Sequence, residues 1–248
     1  LGGAELAIKE LTDRLLDYEF VMITGWRDKK LPRIETVGRV KVYRVGLGRF
    51  QIDQYLYPLL APLKARRLDR QNRFDLTWAM MPSQAGGTAL LFKLFKPKIP
   101  YLLTDQSGDS DAFWFWRTFF WRFIFKMIFT RADHVQVLSQ YLAQRAKKFG
   151  FRGPITIIPN GISIGPFARK VSWEEIKNIK NELNINESDK VIISVSRLVK
   201  KNGLDILIKA IDRLNNPNIR LLLIGSGEDK NKLNNLTRSL NLTDQVLF

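Results

Sequence analysis

The sequence predicts an α/β fold built from two doubly wound parallel-sheet units, and three observations carry that prediction. Strand-like apolar runs alternate with helix-like stretches along all 248 residues, as when strands are joined by crossover helices. Several runs are continuously apolar rather than alternating, as strands buried on both faces require. A stretch without periodicity, "PNGISIGPFARK" (159–170), holds two prolines and spaced glycines and reads as a linker. The boundary is placed near residue 168, giving units of 1–168 and 169–248.

In chain order, Gly2-Gly3 opens a helical pattern over Ala4–Tyr18 with no strand before it. Strands are expected at 20–24, 40–45, 75–80, 99–104, 134–139 and 155–159, then at 191–196, 219–225 and 245–248. "SQYLAQRAKKFG" starts on Ser139 as an N-cap and stops at Gly150. "GLDILIKAIDRLNN" sets Leu204, Leu207, Ile208, Ile211 and Leu214 on one helical face. The second unit, with three strands, is short for a finished sheet of this kind. The glycine start and the strand-like end "DQVLF" make a fragment lacking both ends the expectation, with the second unit incomplete.

Hydrophobic residues make up 45% of the chain, and the formal net charge is +16. Residues 1–159 hold 26 Lys+Arg against 14 Asp+Glu; residues 160–248 hold 14 against 10. A basic half of this kind favours an anionic partner: nucleic acid, anionic lipid or a phosphorylated substrate. The lack of cysteine excludes disulfides and thiolate metal sites and fits a cytoplasmic location. No signal peptide opens the sequence, and no uncharged run approaches the ~18 residues of a membrane span.

The segment "AFWFWRTFFWRFIFKMIF" (112–129) is apolar almost all round a helical wheel, with Arg117, Arg122 and Lys126 sharing a side with Trp114, Trp121 and Phe125. Two readings stand. It packs as a core crossover helix whose cationic stems snorkel outward, or it lies on a membrane surface, where aromatics and cations suit the headgroup boundary.

Candidate chemistry gathers at turns. Gly2-Gly3, Gly161 after Asn160, and Gly225 with Gly227 all sit where glycine allows close backbone approach and helix N-termini offer N–H groups to phosphate. In "SVSRLVKKNG", Arg197 follows a buried strand, with Lys200 and Lys201 on the next turn, and a guanidinium with an ammonium there would clamp a diphosphate. Asp105, Asp109 and Asp111 follow the 99–104 strand. His134 is the sole histidine, stands at a strand entry and is given no role, which argues against a Ser-His-Asp hydrolase. A dehydrogenase is disfavoured, since no third glycine follows Gly225 and Gly227 at the fingerprint spacing.

Five segments in order resemble glycosyltransferase family four, the retaining sugar-nucleotide transferases of GT-B fold: "GGAE" (2–5), "ADHVQVLSQYLAQRAKKFG" (132–150), "IIPNGIS" (157–163), "VSRLVKKNGLDILIKAI" (195–211) and "LLLIGSGEDKNKLNNLTRSLNLTDQVLF" (221–248). The resemblance implies two Rossmann-like domains facing a cleft, the first holding acceptor and the second donor. Arg197 matches the arginine that contacts the donor diphosphate. The partner lysine's place holds Asn202, so Lys201, one residue earlier, is assigned that role. Gly2 and Gly3 match the loop near the donor phosphates and sugar; Gly225 and Gly227 match the turn beside the base. Asn160 and Gly161 fall in the motif leading to the linker. Asp105 stands where many members carry a histidine near the reacting centre, making it and Asp109 the catalytic candidates. The family's paired-glutamate motif would lie past the last residue, so the chain as given is expected to bind donor poorly and turn over little.

The expected activity is transfer of a hexose-like group from a UDP- or GDP-sugar to a saccharide or lipid-linked acceptor, with retention and without metal or other cofactor. Peripheral contact with an anionic membrane at its inner face is expected, and nucleic acid is not. The rival readings are a sugar-nucleotide epimerase of the same architecture and a non-catalytic basic module that binds membrane or nucleic acid.

Overall fold

The computed structural model describes residues 3–108 and 122–248, the side chains of Phe50 and Pro166 excepted. The chain divides into two compact units, Leu1–Ile162 and Ser163–Phe248, each with its own buried apolar cluster. The division falls inside the 159–170 stretch.

The first unit starts with α1 (Gly3–Arg14), β1 (Phe20–Gly25), β2 (Ile34–Val37) and β3 (Val40–Val45). β1 and β3 pair in parallel from Phe20↔Val40 to Gly25↔Val45, and β2 runs antiparallel along the other edge of β3. β2 has no counterpart among the strands expected from sequence, because IETV is largely exposed and has no apolar run. A two-residue turn makes it: Gly38 takes φ 58° at the first turn position, where hairpins favour glycine. A side chain there would meet Asp13 Oδ1 at 2.5 Å.

α2 (Phe50–Asn72) is likewise unexpected, because Pro58 and Pro62 lie inside it and proline normally ends a helix. Pro58 has no N–H to offer the Gln54 carbonyl, and Gln84 Nε2 takes that acceptor at 3.0 Å. An inward row of Ala61, Ala65 and Leu68 seats the helix on the fold.

Next come β4 (Thr77–Met80), α3 (Gln84–Phe95), β5 (Tyr101–Asp105), α4 (Arg122–Thr130), β6 (His134–Val137), α5 (Gln140–Lys148) and β7 (Ile155–Ile157). The four strands form one parallel sheet in the order β4-β5-β6-β7. Leu103, Val135, Val137, Phe129 and Ala146 are fully buried between this sheet and its helices. From Arg122 onward the aromatic segment is a helix with one face in the core: Phe125 and Phe129 pack on Phe149 with ring centroids 4.8 and 5.4 Å apart, while Phe123 is exposed. Gly86 of α3 lets α4 approach, since a Cβ there would lie 2.7 Å from Ile128 Cγ2. Asp109, Trp114, Arg117 and Trp121 lie outside the described residues, as does Gly2. α5 is capped as its sequence predicts, Leu142 N donating to Ser139 Oγ at 3.4 Å, with Gly150 at φ 89° past its end.

The second unit contains α6 (Trp173–Glu182), β8 (Lys190–Val195), α7 (Leu204–Leu214), β9 (Ile219–Ile224), α8 (Lys230–Ser239) and β10 (Val246–Leu247). Its sheet is parallel, with β9 between β8 and β10. α6 begins with a reciprocal cap, Glu175 N donating to Ser172 Oγ and Ser172 N to Glu175 Oε2. On α7, Leu204, Ile208 and Ile211 are buried and Leu207 packs on the same core, whereas Leu214 is 56% exposed. The helix stops beside it, at Asn215 in the left-handed region.

Candidate functional site

In an open parallel sheet, ligands meet the loops past the carboxyl ends of strands. At the end of β5, Asp105 accepts from Ser107 N and Ser107 Oγ on one oxygen (3.0 and 2.6 Å) and from Arg145 on the other (2.6 Å). Arg145 Nη2 also donates to Ser107 Oγ. Asp105 is 0% and Arg145 2% exposed, so the two charges neutralise one another where water does not reach. Removing one partner of such a pair strands the other and costs about 3–5 kcal/mol. Both Asp105 oxygens are engaged and covered, so its surroundings favour holding the loop and not the acid role expected near a reacting centre.

Beside it, Gln106 and Asn160 exchange amide hydrogen bonds of 3.1 and 3.3 Å, tying the loop after β5 to the loop after β7. Gly161 has open space where a Cβ would stand, as does Gly3 at the first position of α1. At the end of β4, Met81 takes φ 78° while its N–H reaches the Thr104 carbonyl at 2.7 Å. A non-glycine residue there stores on the order of 1–3 kcal/mol of strain. His134 Nε2 lies 2.8 Å from Thr156 Oγ1, a contact between neighbouring strands.

In the second unit the loops after β8 and β9 are laced together. Ser196 N donates to Ile224 O, Leu198 N to Ser226 O and Asp229 N to Leu198 O, at 2.9–3.0 Å. Gly225 and Gly227 make this possible: a Cβ at Gly225 would stand 2.0 Å from Ser196 O, and one at Gly227 2.2 Å from Leu198 O. Gly225 also has φ 151°. Both glycines are therefore explained by backbone meeting backbone on either side of Arg197.

Arg197 is exposed on a loop closed by Asn202, whose Nδ2 donates to the Arg197 carbonyl at 2.7 Å. Lys200 and Lys201 follow in a 3-10 turn, and Gly203 at φ 66° starts α7. Arg197, Lys201, Gly225 and Gly227 are thus gathered at one end of the β8–β9 pair. A shallow groove nearby, between α7 and α8, is lined by Val199, Lys200, Leu204, Asp205 and Asp229 among others. Among the described residues no three His, Cys, Asp or Glu side chains are grouped to hold a metal ion.

Sequence reasoning did not single out Arg145 or Ser107. The signal was present in "QYLAQRAKK", where Arg145 falls on the face of Leu142, Ala143 and Ala146; an arginine on an apolar face implies a buried acid opposite. It also passed over Asp53, fully buried at the start of α2, which accepts N–H groups from Leu47, Gly48 and Arg49 at 2.6, 2.7 and 2.9 Å. Burial disfavours its charge, but those three donors outweigh it and hold the carboxyl below the usual range.

Comparison with known proteins agrees with this architecture. The family model "Glycosyltransferase Family 4" matches residues 1–165, and "Glycosyl transferases group 1" matches residues 175–248. The lipopolysaccharide core biosynthesis glycosyltransferase LpsE of Rhizobium meliloti is 24% identical over the whole chain and 63% of its own length. An alpha-monoglucosyldiacylglycerol synthase of Acholeplasma laidlawii is 34% identical over 45% of this chain and 29% of its own. The crystal structure of Anabaena HepE in complex with UDP and glucose superposes with a TM-score of 0.73 at 20% identity, over 100% of this chain and 65% of that one. The chain thus spans about two thirds of the length of LpsE and HepE. The α/β class, with Rossmann-like parallel-sheet units as in GT-B glycosyltransferases, is shown. With two thirds of its residues matched by one family model, the chain belongs to Glycosyltransferase Family 4.

Proposed function

We propose that this chain is part of an enzyme that moves a hexose-like group from a UDP- or GDP-sugar to a saccharide or lipid-linked acceptor, with retention and without a metal. The observation that carries the reading is the exposed Arg197, held between two glycine-enabled loop contacts with Lys201 on the same short loop. When the sugar–oxygen bond breaks, charge grows on the departing diphosphate. A guanidinium and an ammonium fixed beside it stabilise that charge more in the transition state than in the ground state. Gly225 and Gly227 would wall the base pocket. Asp105 would act through Arg145 and Ser107 to position the loop after β5, where Asp109 is the remaining acid candidate and Asn160 and Gly161 lead toward the second unit. Support comes from the family membership, from a relative named for a glucosylated lipid and from a neighbour solved with UDP and glucose.

Calorimetric titration with UDP and with GDP tests the donor side. Saturable binding is expected, unaltered by chelator. Arg197→Ala and Lys201→Ala should each weaken it about tenfold or more, the loss of one charge-assisted contact, with melting temperature unchanged. Equal affinity in the variants would remove the diphosphate clamp.

A further inference from the structure

The outward face of α2 is apolar where it would ordinarily be polar. Ile52, Tyr55, Leu59 and Leu63 are 40, 74, 60 and 56% exposed, and their three- and four-residue steps stack them along one side of the helix. Arg66, Arg67 and Arg70 continue the exposed side through the last turns. The helix has two acids, and both are buried: Asp53 against the N–H groups of the loop before it, Asp69 against Lys96 and the Phe74 N–H. The outward side therefore bears no negative charge. At the other end, Arg49 and the exposed Arg27, Lys29, Lys30 and Arg33 occupy the loops past β3 and β1, which the Asp28↔Arg49 bridge joins. The 23-residue helix is about 35 Å long, apolar over its first half and cationic at both ends.

We propose that α2 is the docking face for an anionic lipid bilayer. The helix lies in the membrane plane, Ile52, Tyr55, Leu59 and Leu63 enter the headgroup boundary, and the flanking cations meet lipid phosphates. Charge complementarity singles out this partner: five cations against the single exposed acid Asp28 in the loops at one end and three arginines at the other, on a chain of formal charge +16. The stripe is narrow, with Leu60 its one exposed apolar neighbour on the helix, which suits insertion between headgroups better than the roughly 800 Å² per partner of a stable protein interface. α2 begins where β3 ends, so the first turn of the stripe lies near the carboxyl end of β3. This site differs from the 112–129 segment, whose described part buries Phe125, Ile128 and Phe129 in the core. It deepens the lipid-linked acceptor in the proposed function and rests on that reading only there; its test uses neither donor nor turnover, so either idea fails alone.

The test is co-sedimentation at low salt with phosphatidylcholine vesicles, with and without phosphatidylglycerol. Binding is expected only with phosphatidylglycerol. Tyr55→Ser/Leu59→Ser/Leu63→Ser and Arg66→Glu/Arg67→Glu/Arg70→Glu should each lower partitioning at least about tenfold. Ile193→Ser/Val195→Ser, on exposed β8 positions of the second unit, should leave it unchanged. Hydrogen exchange on the unaltered chain supplies a readout that needs no variant: vesicles should slow exchange across residues 52–70. The proposal is overturned by absence of lipid-dependent binding, by full binding in both α2 variants, or by loss in Trp114→Ser/Trp121→Ser while α2 exchange stays fast. A dimer in solution that the triple serine variant dissolves would reassign the stripe to a second copy of the chain.

Discussion

Gly227 owes its identity to a neighbouring carbonyl. Any Cβ there falls 2.2 Å from Leu198 O, and at Gly225 2.0 Å from Ser196 O; since both obstacles are backbone, neither can rotate away. Gly227→Ala is accordingly expected to lower unfolding stability by about 2–4 kcal/mol, in the range of severe overpacking, and to weaken UDP binding by shifting the Arg197 loop. Denaturant titration checks the first and calorimetry the second; wild-type stability in the alanine variant would mean the loops are not packed as described. The glycines were legible in the sequence as a turn, but not their reason, because a motif shows where the chain bends and not what it bends against. Arg197 was legible from its place after an apolar strand. The buried Asp105–Arg145 pair was not, because its members lie 40 residues apart and either alone looks like a surface charge.

At the scale of elements, each expected strand is present, because short apolar or alternating runs bounded by turn residues mark strands along the whole chain. The misses share a different cause. β2 is made by its turn and its partner, and α2 continues through Pro58 because Gln84 caps the freed Gln54 carbonyl, the helix being seated on Ala61, Ala65 and Leu68. Tertiary partners of this kind leave no local trace. The start of α2 also makes a pH prediction. Asp53 is held below its usual pKa by three N–H donors acting against burial, and Asp69 by Lys96 and the Phe74 N–H. A native pKa below the unfolded value, near 4, adds stability above that value and loses it as pH falls through the native one. Stability from these groups should be flat from about pH 7 to 5 and decline below about pH 4. Asp53→Ala, which orphans three donors, should cost about 3 kcal/mol at neutral pH and make the acid decline shallower. A denaturant midpoint series against pH measures both; an unchanged acid slope would sink the assignment.

At the scale of the whole molecule, two separate cores carry two different kinds of surface. The first unit holds most of the excess positive charge and the apolar stripe of α2; the second holds the Arg197 loop. Among the described residues no helix is long and apolar enough to cross a membrane, so lipid contact, if made through α2, is made from the surface. The fold class was legible because strand–helix alternation is a property of the entire sequence. The donor loop was legible in part, since its cations stand in sequence but the lacing by Ser196, Leu198 and Ser226 depends on strand neighbours. The central claim is that this lacing presents Arg197 and Lys201 to a nucleotide diphosphate. Hydrogen exchange of the chain with saturating UDP measures it most directly. Slowed exchange confined to residues 196–203 and 225–229 is the predicted result, and protection lying elsewhere, or none under saturation, would contradict it.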